Sequence, residues 1–154
     1  MSADCRLTVT VRPARDAEEV AAAQRLRLRV FCEEQGVDRA EEFDGLDDEA
    51  THIVALDESG VIATCRLRFP DGDCKLERMA VEGPLRGLGV GGRLLAGAEA
   101  VAGERGARTV VLNAQTRALD FYAAHGYVAE GELFMEASIE HVRMTKRLPD
   151  ASGR

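Results

Sequence analysis

Arg86-Gly87-Leu88-Gly89-Val90-Gly91-Gly92-Arg93 carry the clearest chemical signal in the chain. They follow a strand-like run at 75–81 and open a helical pattern whose apolar positions are Leu94, Leu95, Ala98, Val101 and Ala102. Glycines at a helix start let backbone N–H groups approach an anion, and the helix dipole favours negative charge there. The amides of Leu88 to Gly92 are the expected donors, with Arg86 and Arg93 adding charge-assisted bonds. The expected chemistry is phosphate or pyrophosphate binding.

Gly87-x-Gly89-x-x-Gly92 also satisfies the dinucleotide fingerprint, but its surroundings do not. Glu82-Gly83-Pro84-Leu85-Arg86 separate it from the strand, and Asn113-Ala114-Gln115 stands where an acidic ribose partner is expected about 20 residues on. No Gly-Lys-Ser/Thr completes a P-loop. Three side chains could move protons: Glu77, His52 and His141, with Glu77 placed on the same strand face as Met79 by alternation. Cys5, Cys32, Cys65 and Cys74 show no C-x-x-C spacing and read as reduced thiols, with neither metal nor redox motif.

The elements that must position these groups follow from turns and periodicity. Residues 7–12 alternate as a first strand. Asp16-Ala17-Glu18-Glu19 forms an acidic capping box for a helix that runs to about 31 or 34 and stops at Gly36. Strands at 51–56, 61–69 and 74–81 are joined by turns at Asp57-Glu58-Ser59-Gly60 and Pro70-Asp71-Gly72, which predicts an antiparallel meander. After the glycine-started helix, ended at Gly106, come a strand at 109–112 and a short helix capped by Thr116 and stopped by Gly126. Strands at 127–134 and 139–148 complete the order β-α-β-β-β-α-β-α-β-β, and 149–154 reads as a frayed tail. The run 75–81, its helix and the strand at 109–112 make one crossover, hence one parallel pair in a mainly antiparallel sheet.

A chain of 154 residues with 45% hydrophobic residues reads as one α/β domain over 1–154. No apolar run reaches the about 18 residues a membrane helix needs, and the first residues lack a signal-like apolar stretch, so a cytoplasmic protein without a membrane partner is expected. The net charge of −7 argues against a nucleic-acid partner. Glu33, Glu34, Asp38, Glu41, Glu42, Asp44, Asp47, Asp48 and Glu49 crowd one segment, with Arg39 as the local opposing charge. That segment is either a solvated loop or an acidic lip for a cationic substrate.

Arg86-x-x-Gly89-x-Gly91 resembles the acyl-CoA pyrophosphate loop of the GNAT N-acetyltransferase superfamily. Glu77-Arg78-Met79-Ala80-Val81 is similar to that superfamily's fourth strand, Asn113 to the end of its fifth, and Phe121-Tyr122-x-x-x-Gly126-Tyr127 to its aromatic signature. Val30-Phe31-x-x-Glu34-Gln35-Gly36-Val37, His52, Leu112-Asn113-Ala114-Gln115 and Ile139-x-His141-Val142-x-Met144 resemble the ElaA-like subgroup.

The resemblance implies acetyl-CoA as co-substrate and no metal. The fourth and fifth strands would splay to admit the pantetheine arm, which Met79, Ala80 and Val81 would meet with backbone groups. An N–H near Met79 would polarise the thioester carbonyl. Gly87 to Gly92, Arg86 and Arg93 would hold the phosphates; Asn113 and Phe121 would border the arm. Tyr122 matches the family's general acid. The family varies in its base; Glu77 is the candidate here, with His52 and His141 as alternatives. The acceptor would be a small-molecule or peptide amine and the protein a monomer or homodimer. The other reading of the same features is a non-catalytic acyl-CoA sensor or interaction module.

Overall fold

The computed structural model describes residues 8–149. Cys5, Leu7 and residues 150–154 of the expected tail lie outside the described residues. The seven strands are β1 (Thr10–Pro13), β2 (Thr51–Asp57), β3 (Gly60–Arg68), β4 (Cys74–Val81), β5 (Thr109–Gln115), β6 (Val128–Glu136) and β7 (Ile139–Arg147). They form one sheet in the order β1-β2-β3-β4-β5-β7-β6. All neighbours are antiparallel except β4 and β5, which are joined by the crossover helix α3 (Val90–Glu104). The expected mixed α/β architecture is the observed one. No helix of the described residues is long and apolar enough to cross a membrane.

Local chemistry explains most boundaries. Helix α1 (Ala17–Arg27) starts where Asp16 accepts the Glu19 amide at 2.9 Å. The capping box is only half formed, because the Glu19 carboxylate turns instead to Arg12 on β1 (2.7 and 2.8 Å) and to the Arg15 amide. Beyond α1 the chain widens into a π-helical segment, Leu28–Glu34, before Gly36 turns it at φ +76°. The acidic segment is partly ordered, with α2 (Arg39–Glu42) capped by Asp38 and a 3-10 turn at Asp47–Glu49. Thr116 does not cap the short helix α4 (Leu119–Ala124); it starts a separate 3-10 turn, Thr116–Ala118, and its hydroxyl reaches toward Glu140. Strand β5 runs on to Gln115, beyond the expected 112, because β7 pairs with it as far as Gln115 against His141.

Helices α3 and α4 cover one face. Leu94, Leu95, Ala98, Val101 and Ala102 pack there with Cys65, Leu67, Leu76, Val110 and Leu112. Each fully buried leucine contributes roughly 1.5–3 kcal/mol of apolar transfer. The other face lies under α1 and the π-helical segment. Leu26, Val30 and Ala80 make a small apolar cluster there, beside buried Arg27, His52, Thr64 and Arg66.

One irregularity governs the site. Thr64 pairs with Ala80, but Arg66 pairs with Glu77, so Arg78 and Met79 together oppose Cys65. This is a β-bulge, with Arg78 at φ +59°. Before it, Cys74 and Leu76 face α3; after it, Met79 and Val81 face α3 and Ala80 faces α1. The expected shared face of Glu77 and Met79 is therefore wrong. The inserted residue breaks the two-residue alternation, and the two side chains point to opposite sides of the sheet.

Candidate active site

At the end of β4 the chain turns through Gly83–Leu85 into the glycine loop. Gly87 and Gly89 sit at φ +84° and +87°, a conformation that side chains resist. Gly89 is the N-cap of α3, and the first intrahelical bond runs from the Arg93 amide to the Gly89 carbonyl. The amides before Arg93 therefore lack helical acceptors, as a helix start requires. Gly91 and Gly92 serve closeness instead. A Cβ at Gly91 would stand 3.3 Å from Phe121, and one at Gly92 would stand 2.8 Å from His125 Nε2. The loop is thus seated against α4 on one side and open to a cleft of about 1490 Å3 on the other. Gly87, Gly89, Gly91, Gly92 and Arg93 line that cleft. Leu88 points to solvent and Val90 into the core, so only their backbone is placed to act.

The two arginines already have protein partners. Arg86 donates to the Val81 carbonyl (3.0 Å) and pairs with Glu34 (2.8 Å), both ends half exposed. Arg93 donates to the Val9 carbonyl at 3.0 Å.

The cleft continues between β4 and β5. These strands pair at Cys74 with Val110 and at Lys75 with Val111, then diverge. From Leu76 to Val81 the edge of β4 that faces β5 has no strand partner among the described residues. Met79, Ala80, Val81, Leu112 and Asn113 border this opening.

Tyr122 and Phe121 stand on the α3 side. Tyr122 is 9% exposed, lines the cleft, and directs its hydroxyl at Met79 Sδ, 3.6 Å away. Phe121 braces it edge-on with ring centroids 5.0 Å apart. Burial, and then the nearby Cys65, raises the Tyr122 hydroxyl above its ordinary pKa, so it stays protonated and able to donate.

The opposite face differs in character. Arg66, fully buried, binds Asp44 (2.9 Å), Asp47 (3.0 Å) and Glu77 (2.7 Å). Arg27 binds Glu42 (2.6 Å) and Asp47 (2.9 Å), and Arg78 binds Glu42 (3.1 Å) and Asp44 (3.2 Å). The acidic segment is therefore opposed by arginines from α1, β3 and β4, and not by Arg39 alone. Most of its inner carboxylates hold the loop to the sheet.

Glu77 belongs to that network. Burial would raise its carboxyl, but hydrogen bonds from Arg68 and Arg66 outweigh this and draw it down to about 2. A carboxylate so firmly ionised and so fully bonded is a weak proton acceptor. His52 is sealed beneath the loop. Its Nε2 meets the Asp47 carbonyl at 3.0 Å, its Nδ1 is buried without a partner, and it does not border the cleft.

His141 and His125 do border the cleft. His125 is a residue the sequence reading missed. Its signal was its place four residues after Phe121, whose carbonyl meets its Nδ1 at 2.8 Å. Asn113 donates to Glu136 (3.2 Å) and Gln115 to Gln35 (2.8 Å), tying β5 to β6 and to the π-helical segment.

A family model described as an acetyltransferase (GNAT) domain matches residues 14–148. The chain belongs to the GNAT acetyltransferase family. YjcF of Bacillus subtilis, described as an uncharacterized N-acetyltransferase, is 40% identical over 86% of this chain and 96% of its own. The crystal structure of a proposed N-acetyltransferase from Lactobacillus plantarum, 30% identical, matches 92% of this chain and 99% of its own with a TM-score of 0.86. ElaA of Escherichia coli, 23% identical, shares the fold with a TM-score of 0.80 over 90% of this chain and 99% of its own. As a GNAT member the chain is an acyltransferase.

Proposed function

We propose that this GNAT protein moves the acetyl group of acetyl-CoA to a primary amine by direct attack, in an ElaA-like manner. The observation that carries the reading is the β4–β5 gap, open from the glycine-loop amides at one end to Tyr122 at its wall. The polyanionic end of acetyl-CoA suits the amides from Gly89 to Gly92, with Arg86 and Arg93 at their flanks. Its extended arm suits the bare edge of β4 at Met79, Ala80 and Val81, and an N–H near Met79 is the candidate donor to the thioester oxygen. Asn113 borders the far side.

Amine attack forms the C–N bond and a tetrahedral adduct; the C–S bond then breaks. Tyr122, protonated and on the α3 side, gives the departing sulfur its proton. The amine enters from the α1 side, where Glu41 and Glu136 line the cleft, which favours a cationic small molecule or a peptide amine. One domain, working in the cytoplasm as a monomer or homodimer, suits a thioester donor of central metabolism and the free thiols at Cys32, Cys65 and Cys74.

The test is a thiol-release assay with purified protein, acetyl-CoA and a panel of polyamines, amino sugars and lysine-containing peptides. Amine-dependent release, with the acetylated amine seen by mass spectrometry, is expected. Tight CoA binding with no amine-dependent release on the whole panel would overturn the transferase reading in favour of a sensor.

A further inference from the structure

The amine arrives as an ammonium and must shed a proton before it can attack. Glu77 lines the cleft but its carboxylate is bound by Arg66 and Arg68, and His52 does not border the cleft. We infer that His141 is the general base of the transfer, taking the proton at Nε2; the inference rests on the transferase reading.

Three observations converge on this ring. First, its tautomer is fixed. Nδ1 lies 2.7 Å from the Ile139 carbonyl, and a carbonyl only accepts, so Nδ1 carries the proton and Nε2 keeps its lone pair. Second, the ring is held. Residue 141 is 7% exposed and stacks on Phe134 with centroids 5.9 Å apart at 22°. Third, Nε2 is accessible. Among the described residues His52 Nδ1 is the sealed side-chain nitrogen without a partner; His141 Nε2 is not sealed and borders the cleft.

The register places the ring on the correct side. His141 stands directly across from Gln115, two residues along β5 from Asn113 and on the same face. On β7, Val142 and Met144 face α3, as Val110, Leu112 and Ala114 do on β5. His141, Gln115 and Asn113 therefore face the α1 side, opposite Tyr122 and Met79. Base and acid stand on the two sides of the β4–β5 gap, so the proton is taken where the amine enters and given where the sulfur leaves.

The proton count closes. Of three ammonium protons, one stays on the amide nitrogen. Two pass in turn to His141, one before attack and one from the adduct, and on to solvent. Tyr122 gives one to the sulfur and recovers one from solvent. The sum is one C–N bond made, one C–S bond broken and one proton released.

His141→Gln tests this, because the amide N–H can keep the bond to Ile139 while the basic nitrogen is lost. The substrates are an alkylamine that the wild type accepts and its β,β,β-trifluorinated analogue, which is mostly the free amine at neutral pH. With the alkylamine, kcat/KM is expected to fall by roughly 10²–10⁴, and acetyl-CoA affinity to stay within about twofold. With the fluorinated amine the loss should shrink to less than about tenfold, since only the acidic proton of the adduct then remains to be removed. An equal loss on both amines, or no loss on the alkylamine, overturns the assignment. His141→Ala is the second variant, and saturable recovery of thiol release by added imidazole is expected; a folded variant that imidazole does not restore also overturns it. If the wild type itself transfers to no amine, it is the transferase reading that has failed.

Discussion

Tyr122 is a residue whose surroundings fit one task. Its hydroxyl is buried, protonated and aimed at Met79 across the gap. Tyr122→Phe should lower kcat by roughly ten- to a thousandfold, within or near the usual reach of general acid catalysis, while acetyl-CoA binding measured by calorimetry is kept. Unchanged turnover would remove Tyr122 from the acid role. Arg66 is the structural counterpart on the other face. Replacing it by Met leaves Asp44, Asp47 and Glu77 short of a cation, and a loss of about 3–5 kcal/mol is expected from denaturant melts. Tyr122 was legible in the sequence because its signature is local, within Phe121 to Tyr127. The fate of Glu77 was not, because its partners lie on a neighbouring strand at Arg66 and Arg68. The surplus acids of 33–49 misled for the same reason: Arg27, Arg66 and Arg78 approach them from far along the chain.

Elements were legible where turns and periodicity marked them, and illegible where only pairing decides. The meander β2-β3-β4 and the glycine-started α3 stand where turn chemistry put them. The extension of β5 to Gln115 depends on β7 alone, and the polar residues Asn113 and Gln115 gave no sign of it. The π-helical widening at Leu28–Glu34 has no compositional signature either; Phe31, Glu34 and Gln35, in it and at its end, line the cleft. The glycine loop permits a sharper expectation. Gly89→Ala forces a side chain into the left-handed region at the N-cap of α3. It should cost about 1–2 kcal/mol in stability and weaken acetyl-CoA binding more than amine binding, because the strained turn is the one that presents the amides.

At the scale of the molecule, charge divides the two faces of the sheet, and acid should expose that division. Glu77 is held at about 2, from an ordinary 4.5, and Asp44 is likewise held low by its hydrogen bonds with Arg66. A carboxyl whose folded pKa lies below its unfolded one stabilises fully above the unfolded value and loses that contribution as pH falls. Melting temperature should therefore decline from about pH 4.5 toward pH 2, and more gently in Glu77→Gln. If melting temperature were level across that window, the network would hold no net stability.

The bulge at Arg78 leaves β4 a strand with two addresses. Ahead of it Cys74 and Leu76 face α3 while Glu77 faces the arginines; past it Met79 and Val81 face α3 while Ala80 faces α1. Deleting Arg78 would remove the bulge and leave Glu77 toward the arginines and Met79 toward α3 as they are, but it would take away the guanidinium that reaches Glu42 and Asp44. A single supernumerary residue therefore adds a cation that moors the acidic segment to the strand without turning any other side chain of β4 to the opposite face.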